Sequence, residues 1–304
     1  MILFSACKKE TKTYLTQTET TKSTTINENL LAKEFNLNLV NNRLIFKTKS
    51  DYQKVVDNPS KEISDKFTLC LNNYSDFNSY SDFKKNKKIT DKEDLFNDSY
   101  FESMLNADKI IQIGDFIYRI NPKNEKVFVL SSKYENEYSD LVNENIDNEN
   151  IKVYSTGDDV LDLVENNLAG KNLSLFCPEG GVGGAADGVD FTVPGTNRTS
   201  RAAVDFNRYG IYFSLFARIW PSVGGSEFVF DFNGTLGYIH YKVRCGATAD
   251  YGLITGGNQN QSSEQRFQSY QGSTNLTNYF FAFTPRINSA SPALSRMVVI
   301  RKNW

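Results

Sequence analysis

Hydrophobic and polar positions follow two different regimes along this chain. Up to about residue 170, short apolar runs are set between long polar stretches. From Leu173 onward, β-branched and aromatic runs follow one another, separated by clusters of Gly, Ser and Asn. In the first regime, Leu39, Leu44, Ile45 and Phe46 around Asn41-Asn42 predict a strand and a turn. Ser50 or Asp51 is placed to cap a helix reaching Asp57, ended by Pro59. Tyr74, Phe77, Tyr80 and Phe83 recur every three residues, which predicts one face of an amphipathic helix within 72–88. Leu95, Phe96, Phe101, Met104 and Leu105 predict a helix over 91–105, with Thr90 or Asp91 as cap. The plainest local signal is a β-hairpin. The apolar run from Ile110 to Ile120 meets Asn121-Pro122-Lys123-Asn124 and continues as Val127 to Leu130, and Gly114 marks a bulge or an earlier turn. A short strand over 151–154 and a helix from Asp158 to Asn166 complete this part.

In the second regime, strands are expected at 173–176, 189–193, 211–220, 228–232, 236–243, 279–283 and 297–300. Within 211–220 the odd positions Ile211, Phe213, Leu215, Ala217 and Ile219 are expected to face the core. The even positions Tyr212, Ser214, Phe216, Arg218 and Trp220 would form an outer face. Many short strands joined by polar turns point to an antiparallel β-sandwich-like domain. The expected class is therefore α+β: a small α+β domain over 37–170, then a β-sandwich-like domain over 171–304.

Charge and composition support a change near Gly170. Residues 1–171 carry 23 basic and 28 acidic side chains, whereas 172–304 carry 11 and 8. The first part is rich in Lys and Asn; the second draws its positive charge almost wholly from Arg, with Lys242 and Lys302 its only lysines. At 304 residues with 39% hydrophobic content, the chain has enough apolar material for a substantial core. The net charge of −2 argues against nucleic acid as a partner. Nowhere does an apolar run approach the roughly 18 residues of a membrane helix.

The N-terminus supplies an address. Leu3-Phe4-Ser5-Ala6-Cys7 places two small residues before a cysteine, and Lys8-Lys9-Glu10 follows at once. Only Met1 to Phe4 remain of an apolar region that in a working signal spans about 7–15 residues. These residues resemble the lipobox of bacterial lipoproteins, in particular those of the Bacteroidota, although Phe4 stands where Leu is usual. The resemblance implies a truncated signal over 1–7, a lipid on Cys7 and an outer-membrane location, on the periplasmic or cell-surface face. Residues 8–36, rich in Thr, Lys and Glu, are expected to form a flexible tether. The hairpin and its preceding helix also look like elements of uncharacterised surface lipoproteins of that group, a likeness that implies no activity.

Chemistry is sparsely signalled. His240 is the single histidine, so a Ser-His-Asp or Cys-His site would have to use it; alternation within a strand explains its place more simply. Gly180-Gly181-Val182-Gly183-Gly184 lacks the Lys-Ser/Thr of a phosphate loop. Asp158, Asp159, Asp162 and Glu165 read as a solvated helix face, and Asp187 and Asp190 as weak calcium candidates. We expect no catalytic residues, no metal and no cofactor. Tyr212, Trp220, Tyr238 and Tyr241 are the expected ligand-binding aromatics, because rings stack on sugars and anchor protein interfaces. The function expected is that of a non-catalytic envelope protein engaging a glycan or an outer-membrane protein complex. The alternative is a carboxylate-dependent hydrolase such as a glycosidase. With Cys7 acylated, Cys177 and Cys245 share the second part and are expected to pair in an oxidising compartment. Reduction should then raise the mass of the two linked peptides by two hydrogens; alkylation of both thiols without reductant rules the bridge out.

Overall fold

The computed structural model describes residues 32–168, 187–192, 199–220, 236–243, 248–255, 265–284 and 298–302. It is an α+β protein built on a six-stranded mixed sheet and a second, wholly antiparallel β part.

Strands β1 (Leu37–Val40) and β2 (Arg43–Phe46) form a hairpin. Asn41 and Asn42, at φ 50° and 57°, make its turn with the left-handed pair that suits a two-residue hairpin. Five helices follow: α1 (Lys49–Val56), α2 (Lys61–Asn72), α3 (Tyr80–Lys87), α4 (Asp91–Asp94) and α5 (Ser99–Glu102). Together they form the crossover that lets β3 (Ile110–Ile113) pair in parallel with β2. Then β4 (Phe116–Asn121) and β5 (Lys126–Ser131) extend the sheet as antiparallel neighbours. A short helix α6 (Tyr138–Val142) precedes the edge strand β6 (Ile151–Ser155), and α7 (Val160–Leu168) follows it.

Both faces of this sheet are covered. Ile111, Ile113, Tyr118, Ile120, Val127 and Val129 face the helices, packing on Tyr52, Val55, Phe67, Phe96 and Phe101. Ile110, Ile117, Phe128 and Leu130 point the other way, beneath Leu141 of α6. Side chains alternate strictly along β4 and β5, yet each side finds an apolar cover. Hence the hairpin reads in sequence as a nearly continuous apolar run.

Several sequence-based boundaries shift. The cap of α1 is Thr48. Its hydroxyl accepts from Asp51 N and donates to Asp51 Oδ2, a reciprocal cap three residues long. The expected helix over 91–105 is two single turns instead. Asp94 Oδ1 accepts from Phe96 N, Leu95 turns left-handed at φ 59°, and Asp98 caps α5 by accepting from Tyr100 N and Phe101 N. Short acidic side chains have captured the backbone that a long helix would have used. Tyr74 and Phe77 lie in the connection after α2, and Tyr80 starts α3, so the three-residue aromatic spacing does not trace one helix. Order also begins before Leu37: Phe35 is buried and meets Phe67 edge-on at 5.4 Å.

The β part comprises β7 (Asp187–Thr192), β8 (Thr199–Arg208), β9 (Phe213–Trp220), β10 (Leu236–Val243), β11 (Thr248–Thr255), β12 (Gln265–Gly272), β13 (Leu276–Thr284) and β14 (Val298–Lys302). They form two four-stranded antiparallel sheets, ordered β12-β9-β8-β7 and β11-β10-β13-β14. Strand β14 of one runs close to β7 and β8 of the other. The expected strands at 173–176 and 228–232 lie outside the described residues, while β8, β11 and β12 add strands that the apolar pattern did not mark.

Asp51 ties β1, α1 and the chain entry together, accepting from Asn36 Nδ2 at 2.9 Å, Thr48 Oγ1 at 2.6 Å and Lys54 Nζ at 3.0 Å. Burial alone would raise its pKa, but these three donors outweigh it and hold the carboxyl below its ordinary value. Its contribution to stability is therefore complete above the unfolded carboxyl range and is lost as pH falls through the folded value. Asp51→Asn is expected to cost about 1 kcal/mol near neutral pH, with the deficit shrinking in acid. Urea unfolding across pH checks this, and an equal deficit at every pH would refute it.

Candidate functional site

The most elaborate arrangement of buried polar groups lies where the β part meets the α+β body. Two turns of the β part make it: Tyr209-Gly210-Ile211-Tyr212 between β8 and β9, and Ser273-Thr274-Asn275 between β12 and β13. The first turn closes on itself through Tyr209 N donating to Tyr212 O. Its aromatic rings enter the helix-side core. Tyr209 lies against Phe96 at 4.8 Å and Phe101 at 5.3 Å, and Tyr212 stacks on Phe101 at 4.5 Å with 4° between planes.

Each polar tip has a partner. Tyr212 donates from its hydroxyl to Asp98 Oδ2 at 2.9 Å, so the carboxylate that caps α5 also receives the β part. Tyr209 Oη accepts from Asn97 N, Tyr52 donates to Ile211 O, and Val160 N donates to Gly210 O. Burial, reinforced by Asp98, holds the Tyr212 phenol well above its ordinary pKa, so it stays a donor at any physiological pH. Gly210 sits at φ 77°, and a Cβ there would lie 2.6 Å from Val127 Cγ2 and 2.9 Å from Val160 Cγ2. Only glycine suits both the backbone and the space.

The second turn is held by carboxylates and amides of the body. Ser273 N donates to Asp57 Oδ1 and Asn275 N to Asp159 Oδ1, both at 2.6 Å. Asn275 Nδ2 reaches Gly157 O, and Asn58 exchanges backbone and side-chain bonds with Gln271. Burial raises the Asp57 pKa despite the bonds from Ser273.

These contacts change the reading of several residues. Tyr212 does not lie on an exposed outer face. From Ile211 to Phe216 every side chain is buried, and Tyr212 belongs to the same core as the helices of the body. Asp159 is not on a solvated helix face either; it is 3% exposed and bonds the second turn. Asp162 and Glu165 of that group form ion pairs with Lys49. Trp220 ends β9 opposite Arg201, Tyr238 pairs with Ala282, and Tyr241 lies between Ala249 and Tyr279. The side chains of these three, with His240, Asp187 and Asp190, lie outside the described residues, as do Cys7, Cys177, Cys245 and the Gly180–Gly184 run. Tyr209 counts in sequence among the surface tyrosines of the β part, yet it is 2% exposed and packs in the helix-side core. Asn58 and Asn275 were not singled out from sequence, and Asp57 only as the end of a helix.

A second buried polar group lies within the body. Lys84 Nζ stands 2.9 Å from Glu102, 3.5 Å from Asp94 and 3.0 Å from Phe96 O, and Tyr80 donates its hydroxyl to Asp94. Asp94 and Glu102 form a buried acid pair, each side chain only 7% exposed, and Lys84 between them offsets one of their two negative charges. The group joins α3, α4 and α5, as an internal brace does. Cys70 is a free, buried thiol whose pKa burial pushes up to about 11. Among the described residues, no group of three or more His, Cys, Asp or Glu is placed to hold a metal ion, and no helix is long and apolar enough to cross a membrane.

No family model matches the chain. No curated protein and no solved structure is similar to it either.

Replacing Gly210 by Ala should cost about 2–4 kcal/mol, through overpacking and left-handed strain. Gly114 is left-handed too, at φ 57°, but a Cβ there meets nothing within 4 Å. Gly114→Ala should therefore cost only the strain, about 1 kcal/mol. Chemical denaturation of the two variants compares them directly, and equal costs would contradict the docking of the β8–β9 turn.

Proposed function

We propose that this protein is a lipid-anchored, non-catalytic component of a bacterial cell envelope. In this reading Cys7 carries the lipid, and the β part engages a glycan or an outer-membrane protein partner. The two β sheets pack face to face as a sandwich, with β14 beside β7 and β8. The observation that carries the proposal is the joint: two turns at one end of the β part are bonded to Asp57, Asp98 and Asp159 of the body. A β part fixed at one end presents its remaining surface in a set direction, as a recognition module requires and a tumbling linker would not provide.

The buried acids point the same way. Asp51, Asp94, Asp98, Glu102 and Asp159 each bond to a neighbouring segment, structural work that supports the non-catalytic reading. Expression of the full gene in its native host, with and without Cys7→Ala, tests the proposal. Loss of membrane association in the variant, together with a glycan or envelope protein recovered on the wild type, is the expected result. If the variant fractionates with membranes as the wild type does, the anchor is not on Cys7.

A further inference from the structure

The α+β body contains a polar concavity of about 530 Å³ between the end of α2, the connection after it and the starts of α3 and α5. Its size falls within the roughly 300–1,000 Å³ usual for small-molecule sites. Three aromatic rings line it: Tyr74, Phe77 and Tyr100. The two tyrosines are held from behind, their hydroxyls donating to Leu37 O and Val55 O, so their rings are fixed while their polar tips are committed elsewhere. Asn72, Ser81 and Ser99 also line it, and their side chains bond to no other described residue.

The lining selects a chemistry. The single cation of the lining, Lys85, is 74% exposed and lies 3.8 Å from Asp82, so the concavity offers a phosphate or carboxylate no buried positive charge and sets an acid beside the only basic group. An apolar ligand would strip water from Asn72, Ser81 and Ser99 and offer them nothing in return. A neutral polyhydroxylated ligand matches both features: its hydroxyls donate to and accept from the amide and serine groups, and its C–H faces lie on the rings. We infer that this concavity is a binding site for a neutral saccharide. The inference goes beyond the anchored-protein proposal and holds whether or not Cys7 is acylated.

The test uses the full chain in solution, with maltose, cellobiose, lactose and diacetylchitobiose as probes and inorganic phosphate as a charged control. Saturation-transfer NMR detects contact, and calorimetry gives affinity. At least one disaccharide should bind, with transfer from tyrosine and phenylalanine rings. Asn72→Ala should weaken it about tenfold, as loss of one good hydrogen bond would. Ser99→Trp should abolish binding by filling the space. Asn72 and Ser99 are exposed, so both variants should keep the wild-type melting temperature. Lys133→Trp, in a separate concavity of about 420 Å³, should leave binding unchanged. The inference is overturned if none of the four disaccharides binds, if binding survives Ser99→Trp, or if phosphate binds and the disaccharides do not. A membrane-fractionation result for Cys7→Ala bears on none of these outcomes.

Discussion

The structure depends on the insertion of one turn's aromatic rings into a core that is otherwise made by a different stretch of chain. Phe96, Tyr209, Phe101 and Tyr212 form a continuous layered stack, and Asp98 anchors its far end. Each ring pair contributes about 0.5–1.5 kcal/mol beyond its buried area. The carboxylate adds a charge-assisted bond in a region without water. Because Asp98 also caps α5, the position of that helix and the seating of the β part are a single arrangement. A change in composition near Gly170 therefore does not coincide with a change in packing: residues from both sides share one core.

Carboxylates and a buried lysine join segments of this protein together. Asp57 and Asp159 receive backbone N–H groups from the β12–β13 turn, and Lys84 draws Asp94 and Glu102 into a triad with the Phe96 carbonyl. Isolated buried ions are costly, and a complete set of partners is what makes them tolerable. Such networks also fix geometry, since each partner is directional. Their placement at element ends, at caps and at connections is consistent with a body whose helices are mostly short and need external support.

The sequence made the central hairpin legible because β-branched runs around an Asn-Pro turn have few alternatives. It also made β10 legible, end to end, since Leu236–Val243 is bounded by turn residues on both sides. Helix α2 was hidden: its buried residues are Phe67, Cys70 and Leu71, too few to raise a periodic signal. The break between α4 and α5 was equally hidden, because Leu95, Phe96 and Phe101 keep helical spacing while Asp94 and Asp98 divert the backbone. At the joint, strand alternation assigned Tyr212 to solvent. Alternation states which residues share a side, but only the tertiary partner decides whether that side is wet. The Ser-rich concavity was not legible as a site, since its lining joins residues 68–85 to 99–103 and the Tyr74 and Phe77 spacing within it read as one face of a helix.

The left-handed Gly210 turn has a consequence for biosynthesis. Its contacts run back across the chain to Tyr52, Phe101 and Val160. A nascent polypeptide emerging N-terminus first holds a body with a vacant slot until that turn has been made. Such distant closure slows folding, and it keeps the early portion loosely assembled until synthesis has passed that turn.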